Sequence, residues 1–303
     1  MANINCIAES KDGTMWLGSN GGDLIEFDGF NFSEVNFGAL NNHHFNNVIT
    51  TDDEILFSSN YLGFYSYSRT DKKLTKFNLE NHLYGDALRV FVKDGITYFI
   101  GSRQILAKKN ELKKILFFGA NSSQLSIYQS FETNNSIFLL TNYGSYVLSN
   151  GEIKKLSVWM GKDVLSDSLQ NFHFGSFSDN EIQLYHFNGT QQYRIKLDIN
   201  DSIISIKKDK LSINLPKDDN IISFTFNSYY KRPTFLTKNG LLYFLNERKW
   251  RKNPHNYSED LANNHFVFSS QNGDYWVLSS MKGVYKISKE PFTKIELSPL
   301  HAD

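Results

Sequence analysis

The side chains with chemical potential in this 303-residue chain are a short set of imidazoles, guanidiniums, phenols and amides. Histidine clusters twice in the same company, as Asn41-Asn42-His43-His44 and as Asn263-Asn264-His265. Imidazoles gathered at one place ligate metals or move protons near neutral pH. No carboxylate accompanies either cluster at close spacing, so both read as solvated histidine in turn sequence rather than as a metal or acid–base centre. Gly-x-Ser-x-Gly, P-loop, HExxH and paired CxxC motifs are all missing. Acidic pairs such as Asp52-Asp53-Glu54 and Asp218-Asp219 read as hairpin tips, and a calcium cluster is not specified. The expectation is no catalytic residues, no metal and no cofactor.

Composition sets the frame that must position these groups. Phe numbers 25 and Tyr 16, against 5 Pro, and aromatic and β-branched residues suit a pleated, half-buried surface. Lys plus Arg equals Asp plus Glu at 32 each, which excludes the basic excess of a nucleic-acid binder. Short basic pairs, Lys72-Lys73, Lys108-Lys109, Lys113-Lys114, Lys154-Lys155 and Lys207-Lys208, read as solvated hairpin tips. Cys6 is the one cysteine, so no internal disulfide forms, and its apolar neighbours make it a small core residue. No apolar run reaches the ~18 residues of a membrane span, and Met1 leads directly into repeat sequence with no signal peptide.

A repeat then organises the chain. From Ile4 to Phe37 the sequence reads as four short strands, Ile4–Ser10, Thr14–Ser19, Asp23–Phe27 and Asn31–Phe37. Lys11-Asp12-Gly13, Asn20-Gly21-Gly22 and Asp28-Gly29 turn between them. The end of the second strand recurs at Ser19, Ser59, Ser102, Thr141, His186, Thr237 and Ser280, in steps of 39 to 51 residues. That is the period of a four-stranded propeller blade. The expectation is an all-β chain, a single seven-bladed β-propeller of four-stranded antiparallel blades over residues 1–303. The blades fall at about 4–37, 42–79, 84–118, 122–159, 168–215, 219–253 and 263–297. The fifth is irregular, with an excursion expected around Asp198 to Lys208. One such sheet cannot bury both faces alone, so neighbours must stack, with Trp16, Phe57, Phe99, Leu139 and Trp276 filling the spaces between blades. Each blade supplies its own four strands, and closure is expected by packing rather than by a shared strand.

The alignment converts residues into loop positions. On the face built from the second-to-third loops and the loops entering each first strand, it places Asn20, Tyr61, Arg103, Tyr143, His186, Lys238 and Lys282, together with His44, Arg89 and His265. Amides, rings and cations in such loops suit a small polar ligand or oligosaccharide. Asn and Gly are equally what tight turns require.

The first repeat, Ile4 to Phe32, resembles the two-component regulator propeller repeat. The match lies in Asp12-Gly13, Trp16, Gly18-Ser19, Gly21-Gly22 and Phe27-Asp28-Gly29, and Gln271 to Ile287 repeats it. That resemblance implies the extracytoplasmic, periplasmic sensor part of a hybrid two-component protein. It further implies a non-catalytic role, a glycan-type or other polar ligand, signalling domains or a protein partner elsewhere, and homodimeric signalling. A cytoplasmic location stays open, as do an excised propeller and a standalone one. Two other functions remain: a protein-interaction scaffold of a secretion or envelope assembly, and a propeller lyase or hydrolase. Neither nucleic acid nor membrane insertion is expected.

Overall fold

A computed structural model describes residues 4–35, 37, 44–59, 63–79, 86–117, 124–132, 136–155, 172–178, 181–186, 191–197, 203–210, 215–216, 219–227, 229–230, 232–246, 249–253, 266–279, 283–288 and 293–295. The strands are short because turn residues interrupt the apolar runs every few positions. Sheet one holds β1 Ile4–Glu9, β2 Met15–Ser19, β3 Leu24–Phe27 and β4 Phe32–Val35. Sheet two holds β5 Phe45–Thr50, β6 Glu54–Ser59, β7 Gly63–Ser68 and β8 Lys73–Lys76. Sheet three holds β9 Ala87–Lys93, β10 Ile96–Gly101, β11 Gln104–Lys108 and β12 Leu112–Phe117. Sheet four holds β13 Ile127–Glu132, β14 Ile137–Thr141, β15 Gly144–Ser149 and β16 Glu152–Lys155. Sheet five holds β17 Phe172–Ser178, β18 Glu181–His186, β19 Gln191–Leu197 and β20 Ile203–Lys210. Sheet six holds β21 Ile221–Asn227, β22 Arg232–Thr237, β23 Leu242–Asn246 and β24 Lys249–Lys252. Sheet seven holds β25 Phe266–Ser269, β26 Tyr275–Ser279, β27 Gly283–Ile287 and β28 Thr293–Ile295.

Every sheet is an antiparallel meander of four consecutive strands, so each draws on one continuous segment and none borrows a strand. The fold is that of a β-propeller, and no helix occurs among the described residues. The chain divides into two compact units. One comprises Met1–Ser126, Leu148–Ile153 and Glu296–Asp303, the other Ile127–Val147 and Lys154–Ile295.

In the first unit, Cys6, Trp16 and Leu24 of sheet one pack with Phe45, Val48, Phe57 and Tyr65 of sheet two. Leu56 and Phe64 of sheet two likewise pack with Val90, Phe99 and Leu106 of sheet three. The expected fillers Trp16, Phe57, Phe99, Leu139 and Trp276 are all buried. Trp16 keeps its indole N–H satisfied by donating to Ser10 Oγ at 3.0 Å. In the second unit, Leu236 and Leu242 of sheet six meet Val267, Tyr275 and Tyr285 of sheet seven.

Among the described residues, side chains also bond neighbouring sheets along the free edges of β1, β9 and β25. The Val90 N–H donates to Asn47 Oδ1 at 2.9 Å, and Asn46 Nδ2 donates to the Ala87 carbonyl at 2.7 Å. Thr50 Oγ1 donates to the Glu9 carbonyl at 2.8 Å, and Ser58 Oγ to that of Leu88 at 3.0 Å. The second unit uses the same device: the Val267 N–H donates to Ser223 Oγ at 2.9 Å. First strands are bulged near their start, between Ile4 and Cys6, Phe45 and Asn47, Ile127 and Gln129, and Ile221 and Ser223. A bulge re-aims a side chain. The bulged Asn5 and Asn46 each point at the first carbonyl of the next sheet, Phe45 O at 3.5 Å and Ala87 O at 2.7 Å.

Three expectations are corrected. Lys113-Lys114, Lys154-Lys155 and Lys207-Lys208 lie within the outer strands β12, β16 and β20, not at hairpin tips. An outer edge strand tolerates exposed charge on its residues, so charge did not mark a turn. The expected excursion around Asp198 to Lys208 is likewise strand from Ile203 onward, where β20 pairs with β19 through Lys210; residues 198–202 lie outside the described residues. Asp219 is no solvated tip either, being 7% exposed at the entry to β21.

Two substitutions test the packing between sheets. A Cβ on Gly18 meets Cys6 Sγ at 2.6 Å and Phe45 Cβ at 3.0 Å, so Gly18→Ala is expected to destabilise by about 1–3 kcal/mol. Asn47→Ala strands the buried Val90 N–H and is expected to cost about 1–3 kcal/mol. Urea midpoints at unchanged m-values check both.

Candidate functional site

The second strands end on a hydroxyl with a structural task. Ser19, Ser59, Ser102, Thr141 and Thr237 are all essentially buried, and the loops after Ser19, Thr141 and Thr237 fold around them. Ser19 Oγ accepts from the backbone N–H of Gly21 at 3.0 Å and of Asp23 at 2.9 Å, and donates to Asp23 Oδ2 at 2.9 Å. Thr141 Oγ1 accepts from the Tyr143 N–H at 3.1 Å and donates to the Gly144 carbonyl at 2.8 Å. Thr237 Oγ1 accepts from the Leu241 N–H at 3.1 Å. Ser102 reaches further, its Oγ accepting from the Asp86 N–H at 2.9 Å and its N–H donating to the Asp86 carbonyl at 2.8 Å. Hydroxyl-to-backbone bonds of this kind stand in for a turn's own hydrogen bonds. They fix the loops whose following residues are the candidate ligands.

In the first unit, Asn20 and His44 come together. Asn20 Oδ1 accepts from His44 Nδ1 at 3.0 Å and also from Asn5 Nδ2. Asn5 was not visible as a site residue, because only the bulge in β1 turns it toward this loop. With the bond on Nδ1, the imidazole's Nε2 is left as its second polar atom. His44 is exposed and Asn20 half-buried. Arg103 is half-buried in the β10–β11 loop, directly before Gln104. Gln104 is 0% exposed, and neither of its amide atoms has a hydrogen-bond partner among the described residues.

Arg89 does not sit in an entry loop, as the alignment had it. It lies inside β9, opposite Ile100. Its side chain is half-buried, and burial draws its pKa below the usual arginine value while the Cys6 thiol opposes that shift. Burial in turn pushes the Cys6 thiol up to about 12, with the Arg89 charge acting the other way.

In the second unit, Tyr143 is half-buried and Lys238 exposed. The Lys238 N–H donates to the Asn220 carbonyl at 2.8 Å. Asp219 organises this end: its Oδ1 accepts from the N–H groups of Asn220 at 3.0 Å and Asn239 at 3.1 Å. Its Oδ2 is buried with no partner among the described residues. His186 ends β18, while Tyr61, His265 and Lys282 lie outside the described residues. Gln104 and Asp219 escaped sequence reading because their burial is a tertiary fact. No group of three or more His, Cys, Asp or Glu able to hold a metal occurs among the described residues. No helix among them is long and apolar enough to cross a membrane.

Residues 2–21 match the family model described as two component regulator propeller. No curated protein matches the sequence. Among solved structures, the chain is similar to the extracellular domain ascribed to the hybrid two component system BT4673 of B. thetaiotaomicron. The TM-score is 0.66 at 15% identity, over 96% of this chain and 39% of that one. It is similar to YCF48 from Cyanidioschyzon merolae at TM-score 0.67 and 16% identity, over 93% and 94% of the two chains. The WD40 β propeller domain of Doa1 superposes at TM-score 0.61 and 12% identity, over 95% and 93%. The chain thus spans about two fifths of the two-component structure it resembles.

The Cys6 thiol gives a direct test of how tightly this region is packed. The unfolded thiol ionises near 9.0 and the native one only near about 12. Across that window the native state holds the extra proton, so stability falls as pH rises. Cys6 is expected to resist a thiol reagent in the folded protein and to react fully in denaturant. Cys6→Ala is expected to lessen the alkaline loss of stability in a pH series of urea melts.

Proposed function

We propose that this chain is a non-catalytic recognition propeller acting as the extracytoplasmic sensor part of a two-component signalling protein. Its seven sheets form one ring over about residues 4–297, and its ligand is a polar, glycan-type molecule. The observation that carries the reading is the hydroxyl-anchored loop that recurs after β2, β14 and β22. It presents Asn20, Tyr143 and Lys238 from a fixed backbone, and Arg103 follows the buried Ser102 at the equivalent position. Preorganised amides, a guanidinium and a phenol recognise hydroxyl-rich ligands by hydrogen bonding and ring contact. His44 joins Asn20 through their bond, and Tyr61, His186, His265 and Lys282 complete the set by alignment. The two component regulator propeller match at residues 2–21 and the BT4673 likeness support the sensor role. Homodimeric signalling and an extracytoplasmic location belong to the same proposal.

A second reading, a protein-interaction propeller, draws on YCF48, which is also solved bound to D1 peptide, at TM-score 0.68 and 12% identity to this chain. The lyase or hydrolase reading has no convergent set of acid, base and nucleophile among the described residues to support it.

Thermal-shift titration against neutral and acidic oligosaccharides, with unrelated peptides alongside, separates these readings. A ligand that binds only the native state raises stability with its concentration, by about 2.7 kcal/mol at a hundredfold excess over Kd. The expected result is such a rise for one glycan class, abolished in Arg103→Ala and Tyr143→Ala while the unliganded melting temperature stays. A shift with peptides alone favours the interaction propeller. A glycan shift that both variants retain overturns the loop-face assignment.

A further inference from the structure

Sheet six gathers three cations on one of its faces. Thr234 pairs with Phe244, Phe244 pairs with Arg251, and Asn246 pairs with Lys249. Residues directly opposite across a ladder share a face, as do residues two apart along a strand. Arg232, Lys249 and Arg251 therefore stand on the same side as Thr234 and Phe244. Thr234 Oγ1 is 2.9 Å from the Tyr275 hydroxyl, so this side is turned toward sheet seven. Its inner part is closed, with Thr234 at 0% exposure. Its outer part is open: Phe244 is half-buried, and Lys249 and Arg251 are exposed. Among the described residues no carboxylate forms an ion pair with any of the three cations.

Arg232 is the half-buried member of the group. Its guanidinium carbon lies 4.1 Å from the ring centre of Phe244 and 4.7 Å from that of Tyr230. Rings at this distance hold a cation in place, but they give its N–H donors no acceptor. Nε is shut off from water and has no hydrogen-bond partner among the described residues, which is costly for a donor. The frame around it is rigid. Asn227 is 0% exposed, its Oδ1 accepts from the Tyr230 N–H at 2.9 Å, and its Nδ2 donates to the Gly273 carbonyl at 3.0 Å. The Tyr230 ring then covers Gly273, where a Cβ would meet Cε2 at 2.9 Å.

Like charges on neighbouring strands repel one another. A guanidinium fixed in place with its donors unmet is the arrangement of a site that receives its oxyanion from outside. The spacing says what kind of chain brings it. Lys249 and Arg251 are two residues apart on β24, about 7 Å along the strand. Alternate carboxylates of an extended peptide have that same separation and project to one side.

We propose that this face of sheet six docks an extended acidic segment of a partner protein. Carboxylates at alternate positions of the segment meet Lys249 and Arg251. A glutamate reaches further in, its stem over Phe244 and its carboxylate on the Arg232 fork. The site is separate from the loops after the second strands: Arg232 opens β22, whereas Lys238 follows the other end of that strand.

The test follows binding to the full chain by fluorescence anisotropy. The labelled probes are an octapeptide alternating Glu with Ser, its Lys-Ser counterpart, and a sulfated dextran oligosaccharide. The Glu-Ser peptide is expected to bind with an affinity that falls as salt is added. Lys249→Glu and Arg251→Glu change exposed positions, and each is expected to weaken binding by about tenfold or more. Arg232→Met keeps an unbranched stem between the two rings and removes the fork, with a loss of about the same size. Should that variant fail to fold, the two exposed ones decide alone. Lys113→Glu, on sheet three, leaves binding unchanged. Three results overturn the proposal: no binding of the Glu-Ser peptide, equal binding of the Lys-Ser peptide, or full binding by Arg251→Glu or a folded Arg232→Met. So does a sulfated oligosaccharide that binds where the peptide does not, because the face then serves a sugar.

Discussion

The free edge of each first strand is the constraint on which the rest of this structure depends. A four-stranded meander pairs its strands internally and leaves the first strand with one row of backbone N–H and C=O groups unmet. Buried, such groups cost about as much as lost hydrogen bonds. Here the neighbouring sheet meets them with side chains: Asn46, Asn47, Thr50 and Ser58 in the first unit, and Ser223 in the second. The same contacts set the spacing at which Trp16, Phe57 and Phe99 can be fully enclosed, so polar satisfaction and apolar packing are one event. Gly18 belongs to this event, because only a residue without Cβ lets Cys6 and Phe45 close over β2.

From that inner edge the structure grows less constrained outward. Second strands such as β2 and β6 are buried along nearly all their length, and Ser19, Thr141 and Thr237 hold the turns that follow them. Outer strands carry exposed lysine and pack through one face. A gradient of this kind explains how repeats so different in sequence keep one architecture: the interior positions obey packing, and the outer ones only the need to stay soluble and unpaired. The loops after β2, β14 and β22 lie between these limits, held by buried hydroxyls.

The electrostatic picture follows the same division. Cys6 and Arg89 lie near the inner strands, where burial disfavours both thiolate and guanidinium, and each opposes the other's shift. Surface pairs such as Lys11 with Asp52 at 2.5 Å are mostly exposed and add little to stability.

The sequence by itself determined the strand repeat and its period. A turn signal after every short aromatic run leaves no other way to bury these side chains, and the fillers Trp16, Phe57, Phe99, Leu139 and Trp276 were legible from that period alone. Ser19, Ser102, Thr141 and Thr237 were visible as markers, but their task was not, since it consists in bonds to loop atoms. The site was legible only as loop positions. Alignment placed Asn20 beside a loop; the β1 bulge then brought Asn5 to it, and the entry to β5 brought His44. Alignment put Arg89 in an entry loop, and β9 turned it inward instead. Charged runs such as Lys207-Lys208 misled as turns, because an outer strand and a loop make the same demand on sequence, which is exposure to water. Tertiary structure alone decided that Gln104 and Asp219 are buried, because burial depends on neighbours distant in the chain.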